Sequence, residues 1–280
     1  MIVNLKDMLP AAVAGDYIVP GFNIFGMDEA WVVMRAAEEE KSPVILMTNK
    51  DMVDRYPVDL LGAMLAAIAE QSTCPVCVHL DHTYDEAIIY RAMESGYTSV
   101  MFDGSQLSLQ ENIRRTLEVA KRAHNMGISV EGEIGSVPYP GDKPNIKDEK
   151  TEPLEAAEYA EKSQVDALAV AVGNVHKLKE PVARIDFELL KKIEEKVDTP
   201  LVLHGTSGIP ESDMKKLLST RVAKCNIGTV LRQAWGHTLR EEFVKNPAGF
   251  DRLTLTAAPL QSVAAKAAEK IRELGASGKG

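Results

Sequence analysis

The chain lacks the features that define several classes of protein. It has only three cysteines in 280 residues, too few for a disulfide framework, which predicts a reducing compartment, the cytoplasm. No apolar run approaches the roughly 18 residues of a membrane span, and the first ten residues, MIVNLKDMLP, do not resemble a secretory signal. Lysine and arginine (32) are outnumbered by aspartate and glutamate (41), for a net charge of −9. This balance argues against nucleic acid and anionic membranes as partners, so a small molecule is expected.

Hydrophobic residues make up 45% of the chain, enough for the core of one large α/β domain over residues 1–280. Apolar runs with little polar alternation, typical of parallel strands buried on both faces, alternate with amphipathic segments. Eight strands alternating with eight helices predict a (β/α)8 TIM barrel, with an extra C-terminal helix at residues 259–274. The predicted strands are residues 18–23, 44–47, 76–80, 99–102, 129–133, 167–172, 201–204 and 223–227, and the predicted helices are 27–40, 60–70, 85–95, 109–125, 153–163, 187–196, 211–219 and 229–245.

Three histidines, His82, His176 and His204, stand where predicted strands end. A barrel of parallel strands brings all its strand C-termini to one rim. Three imidazoles with an open fourth position form a catalytic metal site, so the pattern predicts a metal-assisted enzyme. Glu133 also ends a strand and is either a further ligand or a neighbouring base. Because Glu131 has the same strand parity as Glu133, one of the two is expected to orient the site from beneath.

A carboxylate, Asp81, precedes His82. Adjacent residues of an extended strand point to opposite sides, but a turn at the strand end would let both reach the rim. We therefore expect His82 on the metal and Asp81 as the acid/base that exchanges a proton with a substrate hydroxyl. Asp103 is a further rim carboxylate, suited to either a helix cap or a substrate contact.

Two glycine-bearing turns follow the last two predicted strands, G-T-S-G at 205–208 and N-I-G-T at 226–229. Barrels often bind phosphate with these two loops, through backbone N–H groups and a helix N-terminus. The turns therefore predict an anion site on the same rim as the histidines.

Two further features have alternative interpretations. Cys74 and Cys77 form a C-x-x-C, but the apolar run that follows favours the entry of a strand over a redox or metal motif. The long loop at residues 135–151 leaves the strand that carries Glu133. Long loops on this rim are often lids, although a passive insertion is the alternative.

Taken in order, short motifs along nearly the whole chain resemble the class II, metal-dependent fructose- and tagatose-bisphosphate aldolases. They are G-F-N at 21–23, H-L-D-H at 79–82, T-S-V-M-F-D-G-S at 98–105, S-V-E-G-E-I-G at 129–135, G-N-V-H at 173–176, V-L-H-G-T-S-G at 202–208 and K-C-N-I-G-T at 224–229. The resemblance implies reversible C–C cleavage of a phosphorylated or otherwise anionic ketose. The products would be dihydroxyacetone phosphate, or a related ketone, and an aldehyde.

Matched by position, the resemblance implies zinc held by the three histidines, with Glu133 as an alternate ligand and Asp81 as the acid/base. It allows a monovalent cation beside the zinc, and it implies a sugar phosphate or related anion as partner and a homodimer or homotetramer. The residues expected to bind substrate and phosphate are Asn23, Asn49, Lys177, Gly205, Thr206, Ser207, Asn226, Gly228 and Thr229.

This chain departs from the family pattern where substrate would bind. Lys177 replaces the usual glycine after the second histidine, and Asn49 falls where the family often has serine. The loop at 136–142 lacks the family's glutamate, for which Asp142 is the candidate substitute. We therefore expect a substrate other than the standard bisphosphate. The alternatives are a Schiff-base enzyme using Lys177 and a barrel that binds a metabolite without catalysis.

Overall fold

A computed structural model describes residues 1–138 and 149–280 of the chain. Eight parallel strands pair in sequence order, and β8 pairs with β1, so the sheet closes into a barrel. The (β/α)8 prediction is confirmed. The strands are β1 Val19–Asn23, β2 Val44–Thr48, β3 Val76–Thr83, β4 Ser99–Phe102, β5 Ser129–Ile134, β6 Ala167–Val170, β7 Leu201–Leu203 and β8 Val222–Ile227.

Helices connect successive strands and form the outer layer, as right-handed β–α–β crossovers require. Their inward faces are apolar, and nearly every residue of the eight strands is buried. The helices are α1 Leu5–Ala14, α2 Met27–Glu39, α3 Lys50–Val53, α4 Val58–Ala69, α5 Glu86–Met93, α6 Leu109–Asn125, α7 Pro153–Ser163, α8 Phe187–Glu194, α9 Glu211–Leu217, α10 Thr229–Lys245 and α11 Arg252–Glu273, with a 3-10 turn at Thr206–Gly208.

Three helices depart from the sequence expectation by more than two residues: α1 and α11, which both contain proline, and the short α3, which was not predicted. Helix α1 was not predicted, and it accommodates Pro10 because Leu5 and Leu9 are fully buried and Asn4 caps its N-terminus. Helix α11 begins at Arg252 rather than at residue 259, so Pro259 lies inside it. Tertiary packing outweighs the missing N–H at both sites. None of the described helices is long and apolar enough to cross a membrane.

Strand β3 runs past the predicted end at residue 80 and contains both Asp81 and His82. Its pairing with β4 shifts register between Leu80 and Thr83, and His82 has a left-handed backbone with φ 42°. Such a bulge turns two consecutive side chains toward one face. The carboxylate and the imidazole therefore both reach the mouth of the barrel.

Candidate metal centre and active site

The three predicted histidines converge at the C-terminal mouth of the barrel. One ring nitrogen from each lies within 4.8 Å of those of the other two, and the ring centroids are 4.4–5.7 Å apart. His204 is fully buried, and the other two are less than 10% exposed. Among the described residues, His82 Nε2 and His204 Nδ1 are buried and have no hydrogen-bond partner. Buried polar atoms are normally satisfied, so these nitrogens are suited to binding a cation.

Carboxylates behind the rings fix the orientation of two of these histidines. His82 Nδ1 is 2.8 Å from Asp103 Oδ2, and His204 Nε2 is 2.9 Å from Glu131 Oε1. Each contact leaves the other ring nitrogen for the centre, an arrangement typical of metal-binding histidines. Asp103 thus orients the ring of His82. It is not the helix cap considered from the sequence, because the N-cap of α6 is Ser108.

Glu133 lies beside this group and is almost fully buried. Its Oε2 is 3.3 Å from His204 Nδ1 and 3.8 Å from His82 Nδ1. That oxygen has no hydrogen-bond partner in the described part of the chain. The position allows either direct metal binding or proton exchange with a neighbouring ligand.

The charges around His82 favour a cation. Burial lowers the pKa of His82, but the carboxylates of Asp81, Asp103 and Glu133 outweigh it and raise this pKa to about 10. The same negative groups would stabilise a divalent cation in place of the proton. The donor set and its electrostatics therefore fit a metal.

A buried ion pair that sequence analysis missed lies beneath the centre. Lys224 Nζ is 2.7 Å from Glu131 Oε2 and 2.7 Å from Asn226 Oδ1, and both charged side chains are fully buried. His79 lies 3.7 Å from the same carboxylate, and burial lowers its pKa to about 3, so its ring is neutral. Lys224 thus balances the carboxylate that orients His204. The only sequence signal for Lys224 was its K-x-N spacing from Asn226, because residues two apart in a strand share a face and both of these point into the barrel.

Asp81 is held by two amides. Asn226 Nδ2 donates to its Oδ1 at 2.8 Å, and Asn23 Nδ2 donates to its Oδ2 at 2.9 Å. Burial alone would raise the pKa of Asp81, but the positive charges of His82, His204 and Lys224 make the net shift downward. Asp81 is therefore an ionised carboxylate with a fixed orientation. The side chain of Asn226, expected in the phosphate cradle, is committed to Asp81 and Lys224.

An open cavity lies over this centre. It is lined by Asp81, His82 and His176 and by every residue predicted to contact substrate, whereas His204 and Glu133 are not among its lining residues. Two lining residues were not predicted, Phe25 and Arg232. The predicted contact residues that line it are Asn23, Asn49, Lys177, Gly205, Thr206, Ser207, Asn226, Gly228 and Thr229.

Backbone from the β7 and β8 loops forms one side of this cavity. Gly205 has φ 64°, and a Cβ there would lie 2.4 Å from the carbonyl oxygen of Val175, so only glycine fits. The Thr206 hydroxyl donates to the Asn226 carbonyl and the Ser207 hydroxyl to the Leu178 carbonyl. No described side chain caps the N-terminus of α10. These features are typical of a backbone anion cradle.

Burial bears on two of the remaining sequence alternatives, and a third lies largely outside the described residues. A Schiff-base lysine requires a desolvated amine, whereas the Lys177 side chain is 53% exposed and lies near Asp51. Cys77 belongs to β3, and burial raises the pKa of its thiol to about 12, so the C-x-x-C is a strand entry. Asp142 and most of the proposed lid lie in residues 139–148, outside the described part of the chain.

The family model for class II fructose-bisphosphate aldolases matches residues 3–279. The chain belongs to this family. It is 34% identical to a 6-phospho-5-dehydro-2-deoxy-D-gluconate aldolase of Halalkalibacterium halodurans, over 99% of this chain and 98% of the relative. It is 33% identical to a sulfofructosephosphate aldolase of Alkalicoccus urumqiensis, with the same coverage. The crystal structure of the YdjI aldolase from Escherichia coli K12 superposes with a TM-score of 0.88 at 34% identity, covering 100% and 99% of the two chains.

Membership of the class II aldolase family confirms the predicted activity class, a carbon–carbon lyase. Named aldolases matching essentially the full length do not favour the alternative of a non-catalytic metabolite-binding barrel. The family is also typically metal-dependent, in agreement with the three convergent histidines.

Replacing His82 tests the metal centre directly. The variant His82→Ala removes a candidate ligand nitrogen, so we expect it to lose most of its bound divalent metal. The measurement is metal content by inductively coupled plasma mass spectrometry after gel filtration. His237→Ala, which removes an exposed histidine of α10, is the matched control and should retain the metal. Equal metal content in the two variants would contradict the assignment.

Replacing Lys224 tests the buried ion pair. Lys224→Met leaves the Glu131 carboxylate buried without its cation, so we expect the free energy of unfolding to fall by about 3–5 kcal/mol. The double variant Lys224→Met/Glu131→Gln removes both charges and should recover part of this loss. Urea unfolding followed by circular dichroism measures both. If the double variant is less stable than the single variant, the loss of unfolding free energy does not arise from an unpaired buried charge.

Proposed function

We propose that the protein is a zinc-dependent aldolase that reversibly cleaves a C–C bond in a phosphorylated ketose. The observation that carries the proposal is the convergence of three buried imidazoles beside the ionised carboxylate of Asp81, at a cavity that His82, His176 and Asp81 line. Two of the ring nitrogens have no hydrogen-bond partner among the described residues. His82, His176 and His204 would hold the metal, with Glu133 as an alternate ligand. Three imidazoles favour zinc among the divalent ions of this kind of site. The metal would supply a Lewis acid for a ketone carbonyl when substrate is bound.

Asp81 is proposed as the acid/base of the cleavage step. Its oxygens accept from Asn226 and Asn23, which keeps the group aimed at the cavity, and the neighbouring positive charges keep it ionised. An ionised carboxylate in this position can take the proton of the hydroxyl on the carbon whose bond breaks, and return it in synthesis. The two amides hold the carboxylate in place during this transfer.

The phosphate of the ketone fragment is proposed to bind the β7 and β8 loops. The N-terminus of α10 and the turn at Thr206–Gly208 offer backbone N–H groups, and helix N-termini attract anions. Gly205, Ser207, Gly228 and Thr229 line this side of the cavity. The chain's net negative charge makes such a local cradle necessary for an anionic substrate.

The relatives differ in the substrate for which they are named, a phosphorylated deoxygluconate in one and sulfofructosephosphate in the other. A substrate other than fructose bisphosphate is therefore consistent with the family. Together with Lys177 and Asn49, this supports the proposal that the far end of the substrate is not a phosphate. All three cysteines are buried free thiols, which agrees with the proposed cytoplasmic location.

Two readouts on dihydroxyacetone phosphate test the proposed function. In deuterated water, zinc-loaded protein should exchange the hydroxymethylene protons of dihydroxyacetone phosphate, which NMR detects. It should also condense dihydroxyacetone phosphate with an aldehyde. A chelator should abolish both activities. Asp81→Asn should lower condensation by about 10²- to 10⁴-fold, the usual contribution of an acid/base, while retaining zinc and proton exchange. Absence of both activities in protein with confirmed zinc would contradict the proposal.

We also propose a homodimer or homotetramer assembled through α10 and α11. Only Leu231 is buried among the 17 residues of α10, while Phe243, Phe250 and Leu253 are 46%, 92% and 79% exposed. Exposed large apolar side chains are suited to a protein interface, and a second copy of the chain offers the same surface in return. Multi-angle light scattering should give twice or four times the 30.6 kDa chain mass. Phe250→Asp/Leu253→Asp should lower that mass, and an unchanged oligomer would place the interface elsewhere.

A further inference from the structure

Three charged side chains from different parts of the barrel meet over the cavity. Lys177 follows β6, Asp51 lies in α3 after β2, and Arg232 lies in the first turn of α10 after β8. In a closed barrel of eight strands in sequence order, β2 and β6 are opposite each other. Lys177 Nζ nevertheless lies 3.7 Å from Asp51 Oδ2, and Arg232 Nη1 lies 3.8 Å from the same oxygen. The cluster therefore spans the mouth.

The cluster is poorly suited to a purely structural role. Each of the three side chains is about half exposed, and exposed ion pairs add little stability. Both distances also exceed the 2.7–2.9 Å that is typical of a charge-assisted hydrogen bond. Lys177 has φ 52°, a left-handed backbone that favours glycine. A lysine kept in an unfavourable conformation beside a binding cavity points to a function for its charge.

Two neighbouring contacts prepare this region for a ligand. The guanidinium of Arg232 lies 4.7 Å from the ring centroid of Phe25, a cation–π contact that restrains it at the cavity edge. Asn49 Oδ1 is buried, lacks a hydrogen-bond partner among the described residues, and belongs to a residue that lines the same cavity. It is placed to accept a hydrogen bond from a substrate hydroxyl.

We infer that Lys177, Asp51 and Arg232 form a second anion subsite, for the end of the substrate opposite the ketone-side phosphate. Two cations and one carboxylate give the subsite a single net positive charge, which suits a singly charged acid. A second phosphate, close to doubly charged at neutral pH, would meet the Asp51 carboxylate. The inference rests on the proposed aldolase function and specifies its substrate class, a ketose monophosphate ending in a carboxylate or a sulfonate.

The test is the choice of aldehyde acceptor in condensation with dihydroxyacetone phosphate. The acceptors are glyoxylate, sulfoacetaldehyde, racemic glyceraldehyde and racemic glyceraldehyde 3-phosphate, and consumption of the donor measures the rate. We expect one of the two singly charged acceptors to give the highest kcat/KM, and the pair distinguishes carboxylate from sulfonate. Proton exchange in the donor, measured on the same sample, reports the proposed function without any acceptor.

Substitutions in the cluster should act in opposite directions. Arg232→Met keeps the aliphatic stem near Phe25 but removes the charge, so KM for the acidic acceptor should rise by about tenfold, the low end of the effect of losing a hydrogen bond to a charged group. KM for glyceraldehyde should not change. Asp51→Asn should instead improve kcat/KM for glyceraldehyde 3-phosphate by about tenfold relative to the acidic acceptor, because a repulsive carboxylate is removed.

Matched controls lie at the C-cap of α3 and on α10. Asp54→Asn neutralises an exposed carboxylate that pairs with Lys50, and Arg240→Met removes an exposed cation of α10. Both should keep the wild-type order of acceptors. If donor exchange is intact, either of two results would overturn the subsite while leaving the aldolase function in place. One is a preference for glyceraldehyde 3-phosphate, and the other is no response to Asp51→Asn and Arg232→Met. Loss of donor exchange itself would overturn both.

Discussion

The active site is built on the ion pair between Lys224 and Glu131. Both side chains are fully buried in the barrel, where an unpaired charge would cost several kcal/mol, on the order of 3–5. Glu131 orients His204, and Lys224 fixes the amide of Asn226, which in turn holds Asp81. One pair of opposite charges thus sets the geometry of a proposed metal ligand and of the proposed acid/base together.

The backbone contributes a second constraint, at the end of β3. The roles proposed for Asp81 and His82 differ, but both require a side chain that faces the same cavity, which a regular strand forbids for consecutive residues. The register shift beside Leu80 and the left-handed conformation of His82 resolve this conflict. A strained conformation of this kind costs about 1–3 kcal/mol, and the hydrogen bond between His82 and Asp103 helps to hold it.

Sequence analysis predicted the fold, and it predicted that the three histidines meet at one rim, as they do in the structure. Strand count, parallel-strand burial and strand-end histidines can all be read from the sequence. Sequence analysis missed α1, since Pro10 suggests a break that the buried Leu5 and Leu9 override. It also missed Arg232, because an arginine in an amphipathic helix has no distinctive pattern. The pairing of Lys224 with Glu131 was invisible because it joins residues 93 apart. Contacts set by tertiary distance cannot be found from periodicity.

Asn226 joins parts of the site that would otherwise be independent. Its side chain contacts Asp81 and Lys224, and its carbonyl accepts the hydroxyl of Thr206 in the β7 loop. A mutation that reshaped the anion cradle through this residue would also disturb proton transfer and the buried charges. Mutations at the floor of the barrel are therefore a poor route to a new substrate preference. Such a preference can evolve at the mouth, where residues such as Asn49 and Lys177 can change one at a time while the chemistry below is inherited intact.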